Sequence, residues 1–215
     1  MSFCTDTDLL HWEPNILRDA SFASQALISG TGTLAGTAFT LASGSFSGSH
    51  VQAGQVVVFT GTGAGCFPIV SVDSPTQITV SALYDGLEPE QGNPVATAPT
   101  GNGALTFAIR TFWAQRRIVS DLIQQAAGLK SGESAAAAII NAHELKRPCT
   151  LGTLQLIYSA LAAASNNAAP LSARAELYER LYKRSLRSAK VELDMNGDGR
   201  ADTVRALNVL ELCRT

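Results

Sequence analysis

Thirteen of the chain's eighteen glycines lie between Gly30 and Gly103, and no lysine or arginine occurs between Arg18 and Arg110. A long helix cannot run through such a stretch, because each glycine weakens a helix by about 1 kcal/mol relative to alanine. What the stretch does hold is a series of short runs rich in β-branched and aromatic residues, at 37–41, 56–60, 69–72, 77–84 and 104–110. Turn signals punctuate them: Ser-Gly at 43–44 and 47–48, Gly-Thr-Gly at 61–63, Ser-Pro at 74–75, Asp-Gly at 85–86 and Asn-Gly at 102–103. Five or six short strands with no helical stretch between them predict a small antiparallel barrel or sandwich. Residues 85–103 read as a long exposed loop.

The flanks have helical spacing. Thr5 or Asp6 is placed to cap a short turn through Leu9, Leu10 and Trp12. Pro14 suits the first turn of a second helix. There Ile16, Leu17, Ala20, Ala23, Ala26 and Leu27 keep a spacing of three and four until Gly30 and Gly32. Helical spacing returns at Thr111 with Phe112, Trp113, Ile118, Leu122 and Ile123, and Gly128 stops it. An alanine-rich helix over 134–145, a break at Pro148, a helix over about 151–165 and a longest helix over about 170–189 complete the pattern. The tail, 191–194 and 203–213, reads as two strands around a polar loop. The expected fold class is therefore α+β. Residues 1–29 and 111–189 form a helical bundle, 30–110 an inserted β module, and 190–215 a C-terminal β arm.

Charge follows the same division. Residues 1–109 hold one basic and eight acidic residues, net −7; residues 110–215 hold fifteen basic and ten acidic, net +5. A whole-chain net charge of −2 argues against a protein that coats nucleic acid. The longest apolar runs fall far short of the ~18 residues that span a bilayer. The start, MSFCTDTDLL, lacks the basic flank and apolar segment of a signal peptide, so folding in a cytoplasm and no membrane partner are expected. Cys4, Cys66, Cys149 and Cys213 form no CxxC pair and are expected as buried free thiols.

Catalytic motifs are not found. His143-Glu144 begins a zincin pattern, but position 147 is Arg; His11 and His50 sit in turn-like contexts. Gly61-Thr-Gly-Ala-Gly65 is followed by Cys66-Phe-Pro68, which denies it the helix N-terminus a phosphate loop needs. The chain is expected not to be an enzyme.

Two constellations remain. Asp194-Met-Asn196-Gly-Asp198-Gly199-Arg200-Ala-Asp202 has side-chain oxygens at loop positions 1, 3, 5 and 9, and the Arg200 carbonyl at 7, as a calcium ion requires. Arg205 stands at position 12, where an EF-hand carries glutamate, so the loop is not an EF-hand. It reads either as a calcium loop or as an Asn-Gly/Asp-Gly hairpin turn whose carboxylates accept backbone N–H bonds. The basic stripe Arg180, Lys183, Arg184, Arg187 and Lys190 reads as a solvated or intersubunit face, or as a phosphate-facing one.

Several segments, in their order, resemble the head–tail adaptor (head-completion or connector) proteins of tailed bacteriophages. They are Cys4-Thr-Asp-Thr-Asp-Leu-Leu10 with Glu13-Pro-Asn15, Gly54-Gln-Val-Val-Val-Phe59, Pro68-Ile-Val-Ser-Val-Asp-Ser74 and Thr79-Val-Ser-Ala-Leu-Tyr84. Leu145-Lys-Arg-Pro-Cys-Thr-Leu151, Leu156-Ile-Tyr158 and Leu193-Asp-Met-Asn-Gly-Asp-Gly199 continue the series. The resemblance implies a virion structural protein made in the host bacterial cytoplasm and located at the neck. It implies a homo-oligomeric ring, commonly of twelve copies, bound to the portal protein through the C-terminal arm. Such a ring receives a downstream neck or tail protein and extends the channel for double-stranded DNA without sequence-specific binding. The alternatives are a tail-completion or terminator protein, and a calcium-stabilised surface- or carbohydrate-binding β module.

Overall fold

Local chemistry at the N-terminus starts the first helix. In the computed structural model, which describes residues 2–61, 63–82, 96–130, 137–166 and 168–207, Thr5 and Asp8 cap each other. The Asp8 backbone N–H donates to Thr5 Oγ1 at 3.3 Å and the Thr5 backbone N–H donates to Asp8 Oδ2 at 2.7 Å. This reciprocal box satisfies donors that a helix start leaves open, and helix α1 (Asp6–Leu10) follows it. Helix α2 (Ile16–Asp19) is one turn, and a 3₁₀ turn covers Ser21–Ala23.

The helix expected to run on to residue 29 does not form. Strand β1 (Gln25–Ala35) occupies that ground. The spacing of Ala20, Ala23, Ala26 and Leu27 carries little apolar mass, and the following Ile28, Thr31, Thr33 and Leu34 favour extended backbone. Gly30 and Gly32, read as helix stops, lie inside the strand. At Gly32 a Cβ would stand 2.5 Å from the Phe39 ring and 2.5 Å from the Thr40 carbonyl oxygen, so the strand crossing needs glycine there.

Strands β2 (Ala38–Leu41), β3 (Val56–Thr60), β4 (Gly65–Ser74), β5 (Gln77–Val80) and β6 (Gly103–Thr111) join β1 in a closed antiparallel barrel of order β1-β2-β5-β4-β3-β6. The barrel alternative of the sequence reading is the one found. Closure removes the two exposed edges that an open sheet would present. β1 supplies it, pairing with β2 from Gly32 to Ala35 and with β6 over nearly its whole length, with a bulge at Ala26/Ile28. Inward side chains alternate. Val57 and Phe59 from β3, Leu105, Phe107 and Ile109 from β6, and Phe39 from β2 fill the interior with Leu34, Phe46, Ile69 and Ile78. Phe39 lies 4.9 Å from Phe59 and 5.0 Å from Phe107, ring centre to ring centre, at tilted and edge-on angles favoured by aromatic pairs. Gly61 and Gly63, at φ +97° and +85°, turn the chain between β3 and β4, as a plain turn requires.

Val56 and Val58 face the other side of β3 yet are also buried, and α2 packs against β3 and β4. Residues Thr5–Phe112 thus form one compact unit. Its contacts include the Thr7 backbone N–H to the Gly54 carbonyl at 3.1 Å and Arg110 Nη1 to the Ser21 carbonyl at 2.8 Å. Of residues 1–29, expected with the bundle, 5–29 belong instead to the barrel unit, because the apolar faces of both short helices are buried against strands.

The second unit comprises Met1–Cys4 and Trp113–Thr215. It contains α3 (Trp113–Ala126), a 3₁₀ turn (Ala142–Leu145), α4 (Lys146–Ala164), α5 (Ala168–Ser188) and the hairpin β7 (Lys190–Leu193) with β8 (Thr203–Ala206). α4 is the central helix, buried from Pro148 through Leu154 and again at Ile157, Tyr158 and Leu161. An all-round apolar helix has this position by necessity. Gly152 allows the crossing: a Cβ there would stand 2.8 Å from Val119 of α3 and 3.1 Å from the Tyr182 ring of α5. Tyr158 and Tyr178 stack at 5.6 Å and 12°, and Arg174 lies 5.5 Å over the Tyr158 ring.

Two further expectations are corrected here. Pro148 does not break a helix; it sits in the first turn of α4, as Pro170 does in α5, where a missing N–H loses no intrahelical bond. Within 134–145, the described residues from 137 onward hold the 3₁₀ turn and an isolated bridge from Ile139 to Leu193 rather than a continuous α-helix. That bridge shows where β7 belongs. Val191 and Leu193 are fully buried in the same core as Val119, Ile123, Leu145 and Cys149. The start of the presumed arm is therefore part of the helical unit's core. The stretches 83–84 and 208–213 of the expected strands, most of the 85–103 loop, and Cys213 lie outside the described residues.

Candidate functional site

The loop between β7 and β8 is built from repeated Asx turns. Asp194 accepts three backbone N–H bonds: from Asn196 at 3.2 Å and Gly197 at 2.6 Å on Oδ1, and from Gly199 at 2.7 Å on Oδ2. Asn196 Oδ1 accepts from the Asp198 N–H at 2.9 Å, and Asp198 Oδ1 from the Arg200 N–H at 2.8 Å. Asp202 Oδ2 accepts from the Met195 N–H at 2.7 Å and closes the ring. Gly197 and Gly199 take φ of +82° and +81°, which bends the chain tightly enough for these bonds. The Gly199 N–H, with those of Gly197, Asn196 and Asp198, holds the Asp194 carboxyl below its ordinary value, since donors to the charged form favour it.

On the hairpin-turn reading, this pattern is complete in itself. The calcium reading rests on a different detail. Asn196 Nδ2 stands 3.3 Å from Asp198 Oδ2 and 3.2 Å from Asp202 Oδ1, so two carboxylates converge on one amide nitrogen. Rotating that amide would bring an oxygen, the donor type a hard cation takes, to the same place, at the cost of the bond Asn196 Oδ1 now accepts from the Asp198 N–H. As they stand, the described residues contain no group of three or more His, Cys, Asp or Glu arranged to hold a metal. His143 lies in the 3₁₀ turn before α4, and His50 has a left-handed backbone, φ +57°.

The basic stripe is placed as its spacing implies. Arg180, Lys183, Arg184, Arg187 and Lys190 are all exposed on or just after α5, while Ala175 and Tyr178 of the same helix are buried. Lys183 Nζ donates to Glu179 Oε1 at 2.6 Å, which tempers the stripe at one position. Arg147 and Arg184, with Glu144, Leu181 and Ser185, line an open groove of about 410 Å³. Large apolar side chains are also exposed: Phe22 at 62% in the barrel unit, and Trp113, Ile118 and Leu122 at 51%, 52% and 47% on α3. No described helix is long and apolar enough to cross a membrane.

One cluster could not be read from spacing. Cys4 and Cys149 are 145 residues apart in the chain, yet their sulfurs stand 2.7 Å from each other in the core of the helical unit. Ser120 Oγ lies 3.4 Å from the Cys149 sulfur, and Arg116 Nη1 donates to the Cys4 carbonyl at 2.7 Å. No protein-family model, no curated protein and no solved structure matches the chain.

Proposed function

We propose that this chain is a structural subunit of a tailed-phage neck: a head–tail adaptor that assembles as a ring between the portal and the next neck or tail protein. The observation that carries this reading is the opposite charge of the two compact units. The barrel unit holds two basic and eight acidic residues, net −6, and the helical unit fourteen basic and ten acidic, net +4. A contact between unlike surfaces of identical subunits is heterologous, and repeated about an axis it closes into a ring. The exposed basic face of α5 against the acidic barrel unit of a neighbouring copy is such a contact. Exposed Phe22 on the barrel unit and Trp113, Ile118 and Leu122 on the helical unit are apolar area that association between copies can bury. A ring around DNA that lacks strong overall positive charge lets the duplex pass without tight phosphate neutralisation.

Native mass spectrometry and negative-stain images of the protein, alone and with portal, test this. Rings are expected, and they should weaken as salt rises because rim charge pairs are screened within ~8–10 Å at physiological ionic strength. Arg180→Glu with Arg187→Glu should abolish them while leaving the helical circular dichroism unchanged. Rings that survive this reversal would overturn the proposed interface. A solitary subunit in the presence of portal, absent from purified particles, would overturn the neck assignment.

The β7–β8 loop is in this reading a candidate calcium site, with Asp194, Asn196, Asp198 and Asp202 as side-chain ligands and Arg200 through its carbonyl. Bound calcium would neutralise the converging carboxylates and tighten the hairpin. Calorimetric titration with millimolar calcium is expected to give saturable heat with wild type and none with Asp198→Ala. A flat wild-type titration leaves the loop a hairpin turn held by its own Asx bonds.

A further inference from the structure

The thiol pair inside the helical unit is not explained by packing alone. Cys4 is 2% exposed and Cys149 is fully buried. Ordinary buried cysteines behave as small apolar side chains, but these two, though within the apolar core, also have polar neighbours. The Cys149 sulfur has Ser120 Oγ at 3.4 Å and Ser2 Oγ at 3.9 Å, and the Cys4 sulfur has Thr153 Oγ1 at 4.0 Å. The segment bearing Cys4 is held in place independently of the sulfurs. The Phe3 backbone N–H donates to Ser120 Oγ at 3.1 Å, and the Arg116 guanidinium donates to the Cys4 carbonyl.

We propose that Cys4 and Cys149 are a redox pair that peroxide converts to a reversible disulfide, stapling the N-terminal segment to α4. A bond requires the sulfurs to approach to ~2.05 Å, a further closure of only ~0.7 Å from 2.7 Å. The two thiols are also differentiated as attacking and resolving groups. Burial opposes ionisation of Cys149, but the neighbouring Cys4, Ser120 and Ser2 hydrogen bonds and the Arg116 charge outweigh it and bring that thiol down to about 7. Burial and the adjacent Cys149 push Cys4 up. Cys149 is therefore the more readily ionised of the two, and the thiolate is the form that reacts.

The chemistry balances with hydrogen peroxide as oxidant. The Cys149 thiolate attacks one peroxide oxygen and the O–O bond breaks. Cysteine sulfenic acid forms, and the departing hydroxide leaves as water with the proton Cys149 gave up. The Cys4 sulfur then attacks the Cys149 sulfur, and the S–O bond breaks. The departing hydroxide takes the Cys4 proton and leaves as a second water. Two thiols are oxidised by two electrons in total, and the peroxide oxygens are reduced to two waters. The product closes a covalent loop that contains all of Thr5–Phe112 and α3. Cross-links over long loops restrict the unfolded chain most. Such a bond would form after a subunit leaves a reducing cytoplasm.

The test uses the full chain with Cys213→Ser, which removes the cysteine outside the described residues. After peroxide treatment the protein is unfolded, its remaining thiols are alkylated, and non-reduced peptides are mapped by mass spectrometry. A peptide joining Cys4 to Cys149, lost on dithiothreitol treatment, is expected. Cys66, buried in the barrel unit with its thiol pushed up to about 11, should remain alkylatable as the internal control. The oxidised protein should melt several degrees higher than the reduced one, a gain that Cys4→Ser lacks. Full alkylation of Cys4 and Cys149 after treatment would overturn the proposal. So would over-oxidation of Cys149 without cross-linking, or a link that involves Cys66. The peptide map reads the wild-type pair directly, so the conclusion does not depend on the variant folding.

Discussion

Phe39→Ala should unfold most of the barrel unit at denaturant concentrations that leave the parent protein native. The Phe39 ring is fully buried and touches the rings of Phe46, Phe59 and Phe107, at 6.4, 4.9 and 5.0 Å. Truncation removes the central ring of this cluster and leaves a cavity that a closed barrel cannot collapse, since every strand is hydrogen-bonded on both sides. Phe→Ala changes in cores cost about 3–5 kcal/mol, a large part of the 5–15 kcal/mol typical of a folded protein. Urea denaturation followed by near-ultraviolet circular dichroism measures it. Phe39→Leu, which keeps most of the volume, should lose less than half as much. Equal losses for the two variants would show that the interior relaxes around the missing ring, and that the aromatic cluster does not organise the barrel.

Asp6→Ala is the second large effect, and its cause is polar. Asp6 is fully buried. Its Oδ2 accepts from Thr111 Oγ1 at 2.6 Å and its Oδ1 from the Phe112 backbone N–H at 3.0 Å. The carboxylate thereby ties the first helix to the end of β6. Alanine takes the acceptor from two buried donors, at about 1–3 kcal/mol for each buried group left unsatisfied, so a loss of about 2–6 kcal/mol is expected. Asp6→Asn keeps one carbonyl oxygen for the Phe112 N–H, and its amide can donate to the Thr111 hydroxyl. It should recover roughly half of the loss. Amide exchange at Phe112 reads the effect locally: fast in Asp6→Ala, intermediate in Asp6→Asn. Unchanged protection in both would place the anchor of α1 elsewhere.

Much of the fold is legible in the sequence because its signals act over a few residues. The Thr5/Asp8 box starts α1, Gly128 ends α3 with φ +73°, and runs of β-branched and aromatic residues mark β3 and β6 within a residue or two of their observed limits. The same holds for the Asp194–Asp202 loop. Its Asx turns are bonds between residues two to seven apart, so its shape is written in its own composition. Pro148 carried a local signal too, but an ambiguous one: proline both stops helices and suits their first turn, and only the position of the helix start chooses between them.

Long-range partners chose the rest. Residues 25–35 have enough alanine and leucine to read as helix and enough threonine and isoleucine to read as strand. What settles them is the pair of open edges on β2 and β6, which one strand can satisfy at once. Val191 and Leu193 look like half of an exposed hairpin until Ile139 and Asn141 are brought beside them. Cys4 and Cys149 have no spacing relation at all; α3 and the Arg116 and Ser120 contacts carry one to the other. Local turns and caps are chosen by bonds whose entropy of closure is small. Barrel closure, core membership and the thiol pair depend on contacts between distant segments, which become favourable only once the intervening chain is folded.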